Sequence, residues 1–130
     1  MIQFLLAAPR SGSGKTTMTC ALLMALKRRG CAPCAFKSGP DYIDPAFHLA
    51  ASGRASLNLD TWAMGPEMLA GLASAGADAD LILAEGSMGL FDGVAVPGAT
   101  GNGAASDLAA LMGWPVVLVL DASGQAQTAA

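Results

Sequence analysis

The chain has 130 residues, enough for one compact domain and too few for two complete ones. Hydrophobic residues make up 53% of it and charged residues 13%, which excludes a disordered or acidic-tail protein and favours strands buried on both faces of a sheet. Because the net charge is -3, we expect no broad basic surface and no nucleic-acid partner, so any anionic ligand must be held by a local site.

Sequence signals for membrane insertion or export are absent. The apolar runs Ile2–Ala8 and Trp114–Leu120 are far shorter than the roughly 20 residues that span a bilayer. The N-terminus lacks a basic stretch followed by a small-residue cleavage site. The odd number of cysteines argues against a disulfide framework; they are Cys20, Cys31 and Cys34. We therefore expect a cytoplasmic protein with reduced thiols and no membrane partner.

The N-terminal part of the chain predicts a strand, a loop, a helix and a second strand. Met1–Ala7 is an apolar run that stops at a turn rich in Gly and Ser, which is typical of a strand entering a loop. Thr16–Arg29 carries apolar residues at helical spacing and basic residues in its last turn, and Gly30 follows it, so we expect a helix there. Cys34–Lys37 is the next strand candidate, and we expect a long loop after it.

From Pro66 onward, predicted helices and strands alternate. We expect a helix, a strand, a helix and a strand over Pro66–Ala75, Asp80–Ala84, Ala105–Met112 and Pro115–Leu120. The last residues, Ala122–Ala130, predict a loop entering a helix that is truncated after its first turn. The alternation predicts an α/β fold in which flanking helices and a parallel sheet form three layers, with ligands at the carboxyl ends of the strands.

A glycine-rich segment between the first strand and the first helix has the pattern of a P-loop, so we expect the fold to be P-loop NTPase-like. Its glycines let backbone N–H groups turn inward around phosphate oxygens at the helix N-terminus. Lys15 would bridge the β- and γ-phosphates, and Thr16 would ligate Mg²⁺. Pro9 stands where the common pattern has its first glycine, so the loop entry is stiffer and has one donor fewer. The candidate nucleotide-binding residues are Ser11, Gly12, Ser13, Gly14, Lys15, Thr16 and Thr17.

Carboxylates follow the predicted strands and are candidates for a metal site. Glu85 comes directly after the strand Asp80–Ala84, where a second Mg²⁺ ligand is usual beside a P-loop; a helix cap or a surface carboxylate is the alternative. Asp41 and Asp44 lie in a turn held by two prolines, where they either reach a metal or substrate or only form the turn. Asp92 likewise either reaches a metal or substrate or only forms a turn.

Other polar residues have two interpretations each. Lys37, at the end of the second strand, either meets a phosphate or is solvated. His48 has no evident triad partner, and we expect it on the surface, in a loop or at a helix start. Cys31 and Cys34 have the spacing of a redox or half-zinc motif. However, there is no second cysteine pair and the motif precedes a strand, so we expect no metal or redox chemistry.

With these motifs in place, the sequence resembles the amino-terminal part of the cobyrinic acid and hydrogenobyrinic acid a,c-diamide synthases of corrinoid biosynthesis. The resemblance extends over essentially the whole chain, in blocks at residues 8–17, 36–45, 58–60, 85–93 and 119–125. The specific blocks are Lys37–Pro45 and Glu85–Gly93. Related P-loop enzymes, such as dethiobiotin synthetase and cobyric acid synthase, resemble the chain mainly at the phosphate loop.

The resemblance implies a ligase that amidates the a and c carboxylates of a corrin ring and depends on ATP, Mg²⁺ and glutamine. In this family the acid attacks the γ-phosphate of ATP to give an acyl phosphate, which ammonia converts to an amide. The catalytic residues implied are Lys15, Lys37, Asp41, Tyr42, Asp44 and Asp92. The Mg²⁺ ligands implied are Thr16, Asp41 or Asp44, and Glu85.

Residues 1–130 would then be a partial N-terminal ATP-binding synthetase domain, without the C-terminal glutamine amidotransferase domain that supplies ammonia in this family. We expect the chain to be inactive on its own, and a homodimer is one open arrangement. Two other functions stay open. One is a ParA/MinD-like ATPase switch, in which Arg10 would stand for a lysine used across a dimer interface. The other is a dethiobiotin-synthetase-like ligase.

Overall fold

Parallel strands form the centre of the computed structural model, which describes residues 1–129. Within these residues the strands are β1 (Ile2–Ala7), β2 (Pro33–Ser38), β3 (Leu57–Leu59), β4 (Leu81–Glu85) and β5 (Val116–Leu118). The helices are α1 (Lys15–Arg28), α2 (Asp44–Ser52), α3 (Pro66–Ala73) and α4 (Ala105–Met112). The strands form one sheet in the order β3-β2-β4-β1-β5, and all of these pairings are parallel.

Apolar side chains alternate between the two faces of this sheet, as the pleat of a strand requires. One face packs on α3 and α4 through a cluster that includes Leu5, Phe36, Leu69, Ile82 and Leu108. The opposite face packs on α1 and α2 through Leu23, Ala35 and Ala51. The sheet is therefore covered by helices on both faces, which confirms the predicted three-layer α/β architecture.

The strand order brings three loops to one edge of the sheet. β4 lies between β1 and β2, and its last residue, Glu85, is level with Leu6 of β1 and Lys37 of β2. The loops that leave these three strands therefore start side by side. In an open parallel sheet, this carboxyl edge is where ligands bind.

The segment after β2 differs from the prediction of a long loop, because it contains α2 and β3. Pro45 lies in the first turn of α2, where the missing N–H is no loss. One of the two prolines that indicate a turn, Pro45, therefore also begins a helix. β3 has only three residues, too few for an alternating pattern to stand out.

The other predicted strands and helices are confirmed, with small shifts at their ends. β5 is shorter than Pro115–Leu120, and its residues are exposed at the edge of the sheet. The helix start predicted within residues 122–130 corresponds to a 3₁₀ turn at Gln127–Ala129, and Ala130 lies outside the described residues. No helix within residues 1–129 is long and apolar enough to cross a membrane.

The packing of α1 gives a first prediction. Leu23 is fully buried between α1 and the sheet, so Leu23→Ala leaves a cavity and should lower the free energy of unfolding by about 2–5 kcal/mol. Met24, the next residue, is 44% exposed, and Met24→Ala should change the free energy of unfolding by less than about 0.5 kcal/mol. Urea denaturation followed by circular dichroism measures both. Equal losses would contradict the assignment of the buried face of α1.

Candidate functional site

The loop between β1 and α1 has the left-handed turns that a phosphate-binding loop needs. Gly12 has φ +77° and Gly14 has φ +93°, which L side chains rarely adopt. α1 begins at Lys15, directly after Gly14, and within the described residues its N-terminus has no side-chain cap. The first N–H groups of α1 and the positive end of its dipole are therefore available to an anion.

A cavity of about 830 Å³ lies over this loop. The predicted site residues in its wall are Ser11, Gly12, Gly14, Lys15, Thr16, Thr17, Lys37, Asp41, Asp44, Glu85 and Asp92. Two predicted residues that the structure describes lie outside the wall. The hydroxyl of Ser13 donates to the carbonyl of Arg10 at 3.0 Å, and Tyr42 is 91% exposed. The structure thus brings all but two of the predicted residues to one cavity.

Lys15 connects the phosphate loop to the segment that follows β4. Its Nζ donates to the carbonyl oxygen of Met88 at 2.7 Å and to that of Arg10 at 3.4 Å. Met88 has φ +52°, a conformation that strains a residue with a Cβ. Burial and then the charge of Lys37 lower the pKa of Lys15, although neighbouring carboxylates act in the opposite direction. Both present partners are neutral carbonyls, so an anionic phosphate oxygen would bind the ammonium more strongly.

Two carboxylates meet the hydroxyl of Thr16 at the start of α1. Thr16 Oγ1 lies 2.6 Å from Glu85 Oε1 and 3.4 Å from Asp44 Oδ2. Within the described residues no three His, Cys, Asp or Glu side chains form a ready metal cage. Mg²⁺ does not need one, because it binds through one or two carboxylates together with phosphates and water. This set of oxygen donors fits a magnesium nucleotide.

Lys37 offsets the negative charge of Asp44 and Glu85. Its Nζ lies 2.7 Å from Asp44 Oδ2 and 3.4 Å from Glu85 Oε1. Asp41 Oδ2 is farther away, at 3.8 Å, and the carbonyl of Gly86 accepts a hydrogen bond from Nζ at 3.2 Å. Lys37 is only 3% exposed, which excludes the interpretation of a solvated lysine.

Asp41 and Asp44 differ in what they contact. Asp41 Oδ1 accepts the backbone N–H groups of Ile43 at 2.7 Å and of Asp44 at 3.0 Å, at the start of α2. Burial would raise the pKa of Asp41, but these hydrogen bonds and the charge of Lys37 outweigh it, so the pKa lies below its usual range. Asp44 instead directs Oδ2 at Lys37 and Thr16. This geometry favours Asp44 over Asp41 as a metal ligand.

Glu85 is fully buried and is held from three sides. Its Oε1 faces Thr16 and Lys37, and its Oε2 lies 2.6 Å from His48 Nε2. Burial would raise the pKa of Glu85, but the hydrogen bond from His48, the charge of Lys37 and the Thr16 hydroxyl outweigh it. The pKa of Glu85 therefore lies below its ordinary value.

The surface position expected for His48 is wrong. His48 is 0% exposed, because it lies on the face of α2 that packs against Glu85, and the sequence pattern did not predict this helix. Asp44 and His48 are four residues apart and so share one face of the helix. From this face His48 contacts Glu85, and Asp44 contacts Lys37 and Thr16. That spacing is the sequence signal from which the position of His48 could have been found.

Asp92 holds the segment after β4 in shape as well as lining the cavity. Its Oδ2 accepts the backbone N–H of Gly89 at 2.7 Å. A Cβ on Gly89 would lie 2.7 Å from the carbonyl oxygen of Pro9, so glycine is required where this segment crosses the entry of the phosphate loop. Asp92 is thus a turn residue at the edge of the site.

The rest of the cavity wall comes from residues to which the sequence assigned no role: Asp60, Trp62, Val94, Asn102 and Gly103, among others. Asp60 Oδ1 accepts the backbone N–H of Trp62 at 2.9 Å. The indole N–H of Trp62 donates to the carbonyl of Val96 at 3.1 Å, and the N–H of Ala99 donates to the carbonyl of Trp62 at 2.8 Å. The contacts of Trp62 with Val96 and Ala99 join segments that are distant in the chain, so no local pattern indicates them.

Arg10, which suggested an ATPase switch, and the three cysteines do not line this cavity. Arg10 pairs with Asp121 of the same chain at 3.3 Å, and both side chains are partly exposed. The thiols of Cys20, Cys31 and Cys34 are free. Cys31 and Cys34, whose spacing resembles a redox or half-zinc motif, do not contribute to the cavity over the loop between β1 and α1.

The chain is similar in sequence to known synthases. The chain is 61% identical over 125 residues to hydrogenobyrinate a,c-diamide synthase of Rhodobacter capsulatus, a match that covers 96% of the chain and 29% of that protein. It is 57% identical to the synthase of the same name from Mesorhizobium japonicum, over 97% of the chain and 29% of that protein. The chain spans about 29% of the length of these relatives.

A family model described as "CobQ/CobB/MinD/ParA nucleotide binding domain" matches residues 4–122. The match contains the phosphate loop, β1 to β5 apart from the first residues of β1, and the carboxylates around Thr16. The chain therefore belongs to the CobQ/CobB/MinD/ParA nucleotide-binding domain family, within the P-loop NTPases.

Proposed function

We propose that this chain is the nucleotide-binding part of a hydrogenobyrinate a,c-diamide synthase, an enzyme that amidates two carboxylates of a corrinoid acid in cobalamin biosynthesis. The observation that carries the proposal is the meeting of Thr16, Glu85 and Asp44 beside the free N-terminus of α1, which fits a magnesium nucleotide. The identities of 53–61% to synthases of this name support the choice of reaction.

In this proposal the phosphates of ATP bind to the loop N–H groups around Gly12 and Gly14 and to the ammonium of Lys15. Thr16, Asp44 and Glu85 hold Mg²⁺, which when bound withdraws charge from the phosphate oxygens. Every one of these residues lies in the wall of the same cavity.

Amidation requires that a carboxylate be activated first. A carboxylate oxygen of the substrate attacks the γ-phosphorus, the bond to the β–γ bridging oxygen breaks, and ADP leaves. Ammonia then attacks the acyl carbon of the acyl phosphate, inorganic phosphate leaves, and the nitrogen loses a proton. Lys15 and Lys37 offset the repulsion between the attacking carboxylate and the phosphate. We assign Tyr42 and Asp92 to the substrate side, since Tyr42 is accessible and Asp92 lines the cavity.

We assign the release of ammonia from glutamine to an amidotransferase domain outside residues 1–130. Such a domain uses a reactive cysteine, and Cys20 and Cys34 do not suit that role. Burial raises the pKa of both Cys20 and Cys34, and a raised pKa makes a thiol a poor nucleophile at neutral pH. We therefore expect the chain alone to bind nucleotide without forming amide.

Replacing Lys15 tests the nucleotide site. Lys15→Ala should weaken ATP binding by roughly 10- to 150-fold, because a hydrogen bond to a charged group contributes about 1.5–3 kcal/mol. Isothermal titration calorimetry measures the affinity. Lys27, at the far end of α1, gives the matched control Lys27→Ala, which should bind ATP within about twofold of the unmodified chain. Unchanged affinity in Lys15→Ala would refute the assignment of the phosphate site.

Replacing Glu85 tests the metal site. Glu85→Gln keeps the size of the side chain but removes the charge, so the Mg²⁺ concentration for half-maximal ATP binding should rise at least about tenfold. A Mg²⁺ titration with a fluorescent ATP analogue measures it. Glu67→Gln, on the exposed part of α3, makes the same chemical change away from the cavity and should leave the Mg²⁺ requirement unchanged. An equal Mg²⁺ requirement in the two variants would rule out Glu85 as a ligand.

A further inference from the structure

The two oxygens of Glu85 have separate partners. Oε1 faces Thr16 at 2.6 Å and Lys37 at 3.4 Å, on the side of the proposed metal. Oε2 lies 2.6 Å from His48 Nε2. A carboxylate only accepts hydrogen bonds, so His48 Nε2 is the donor. Both residues are fully buried, so this bond fixes which oxygen is directed at Thr16.

The imidazole ring of His48 is itself held at its other nitrogen. Nδ1 lies 2.9 Å from the hydroxyl of Ser56, in the segment between α2 and β3. In the neutral ring, Nδ1 accepts from this hydroxyl while Nε2 donates to Glu85. The ring is therefore fixed at both ends, as in metal sites where an outer partner orients a ligand.

His48 also links Glu85 to the helix that carries Asp44. The two residues are four apart on α2 and share one face of the helix. Asp44 Oδ2 is 2.7 Å from Lys37 Nζ and 3.4 Å from Thr16 Oγ1. The bond from His48 to Glu85 joins this helix face to the end of β4.

We infer that His48 is a positioning residue of the metal–nucleotide site, which orients the carboxylate of Glu85 and fixes α2 with Asp44 beside it. This inference rests on the proposed function, because it concerns the ligands of the proposed Mg²⁺. His48 acts through Glu85, because it is buried behind this carboxylate and does not line the cavity.

Two polar substitutions separate positioning from packing. The amide nitrogen of glutamine reaches about as far as His Nε2, so His48→Gln keeps a donor to Glu85 and loses the contact with Ser56. The amide of asparagine reaches about as far as His Nδ1, so His48→Asn keeps the contact with Ser56 and loses Glu85. Each variant gives up one buried hydrogen bond, and both should unfold at a lower temperature than the unmodified chain in the absence of metal and nucleotide.

The measurement is the Mg²⁺ concentration at which a fluorescent ATP analogue is half-maximally bound by the 130-residue chain. It should rise about tenfold or more in His48→Asn and stay within about threefold in His48→Gln, since loss of an outer partner costs 10- to 100-fold in metal affinity. Equal Mg²⁺ requirements in the two variants would overturn the inference. Ser52→Ala is the control on α2, because among residues 1–129 the Ser52 hydroxyl bonds only to backbone groups of His48 and Arg54; the Mg²⁺ requirement of this variant should not change.

Ser56→Ala covers the case in which His48→Asn does not fold. It leaves the bond to Glu85 but frees the ring at Nδ1, and we expect the Mg²⁺ requirement to rise by about threefold. No rise in Ser56→Ala together with a tenfold rise in His48→Gln would overturn the inference. If the unmodified chain binds the ATP analogue with no dependence on Mg²⁺, the proposed function fails. Normal Mg²⁺ dependence with no difference between the His48 variants refutes only the positioning role.

Discussion

The buried carboxylate of Glu85 is the constraint on which the site depends. Burial of a carboxylate away from water is unfavourable by several kcal/mol unless cations and hydrogen bonds compensate its charge. Thr16 provides a hydroxyl from α1, Lys37 a charge from β2, and His48 a ring N–H from α2. The need to satisfy one charged group at the end of β4 therefore fixes three other elements around it. Movement of any one of these elements removes a partner of the buried Glu85 carboxylate.

The same constraint explains why the phosphate loop and the acidic residues form one site. Glu85 is level with Leu6 and Lys37 in the sheet, so the loop after β1 and the turn after β2 begin beside it. The N-terminus of α1 adds a positive field on one side, and the carboxylates add negative charge on the other. A nucleotide phosphate with its magnesium carries both signs of charge and matches both sides of this arrangement.

The parts of the site that were predicted from the sequence are those encoded by local patterns. The glycines before Lys15 and the carboxylate after an apolar strand have fixed spacings, and these spacings alone place them at the sheet edge. The choice between Asp41 and Asp44, the burial of His48 and the wall around Trp62 depend on how α2 and the loop at residues 93–103 pack. Two prolines beside Asp41 and Asp44 indicate a turn and not the start of α2. The helix face that carries His48 was therefore not predicted.

The position of β4 between β1 and β2 has a consequence for the order of folding. In the part of the chain that the structure describes, β1 and β2 pair with β4 and not with each other. During synthesis from the N-terminus, β1 and β2 are therefore made before β4, the strand that lies between them. The hydrogen bond from Thr16 to Glu85 joins residues that are 69 positions apart in the chain. Long-range closures of this kind slow folding. A nascent chain that ends before β4 carries the complete glycine loop, but β1, the strand that leads into this loop, then lacks both of its partners in the sheet, β4 and β5.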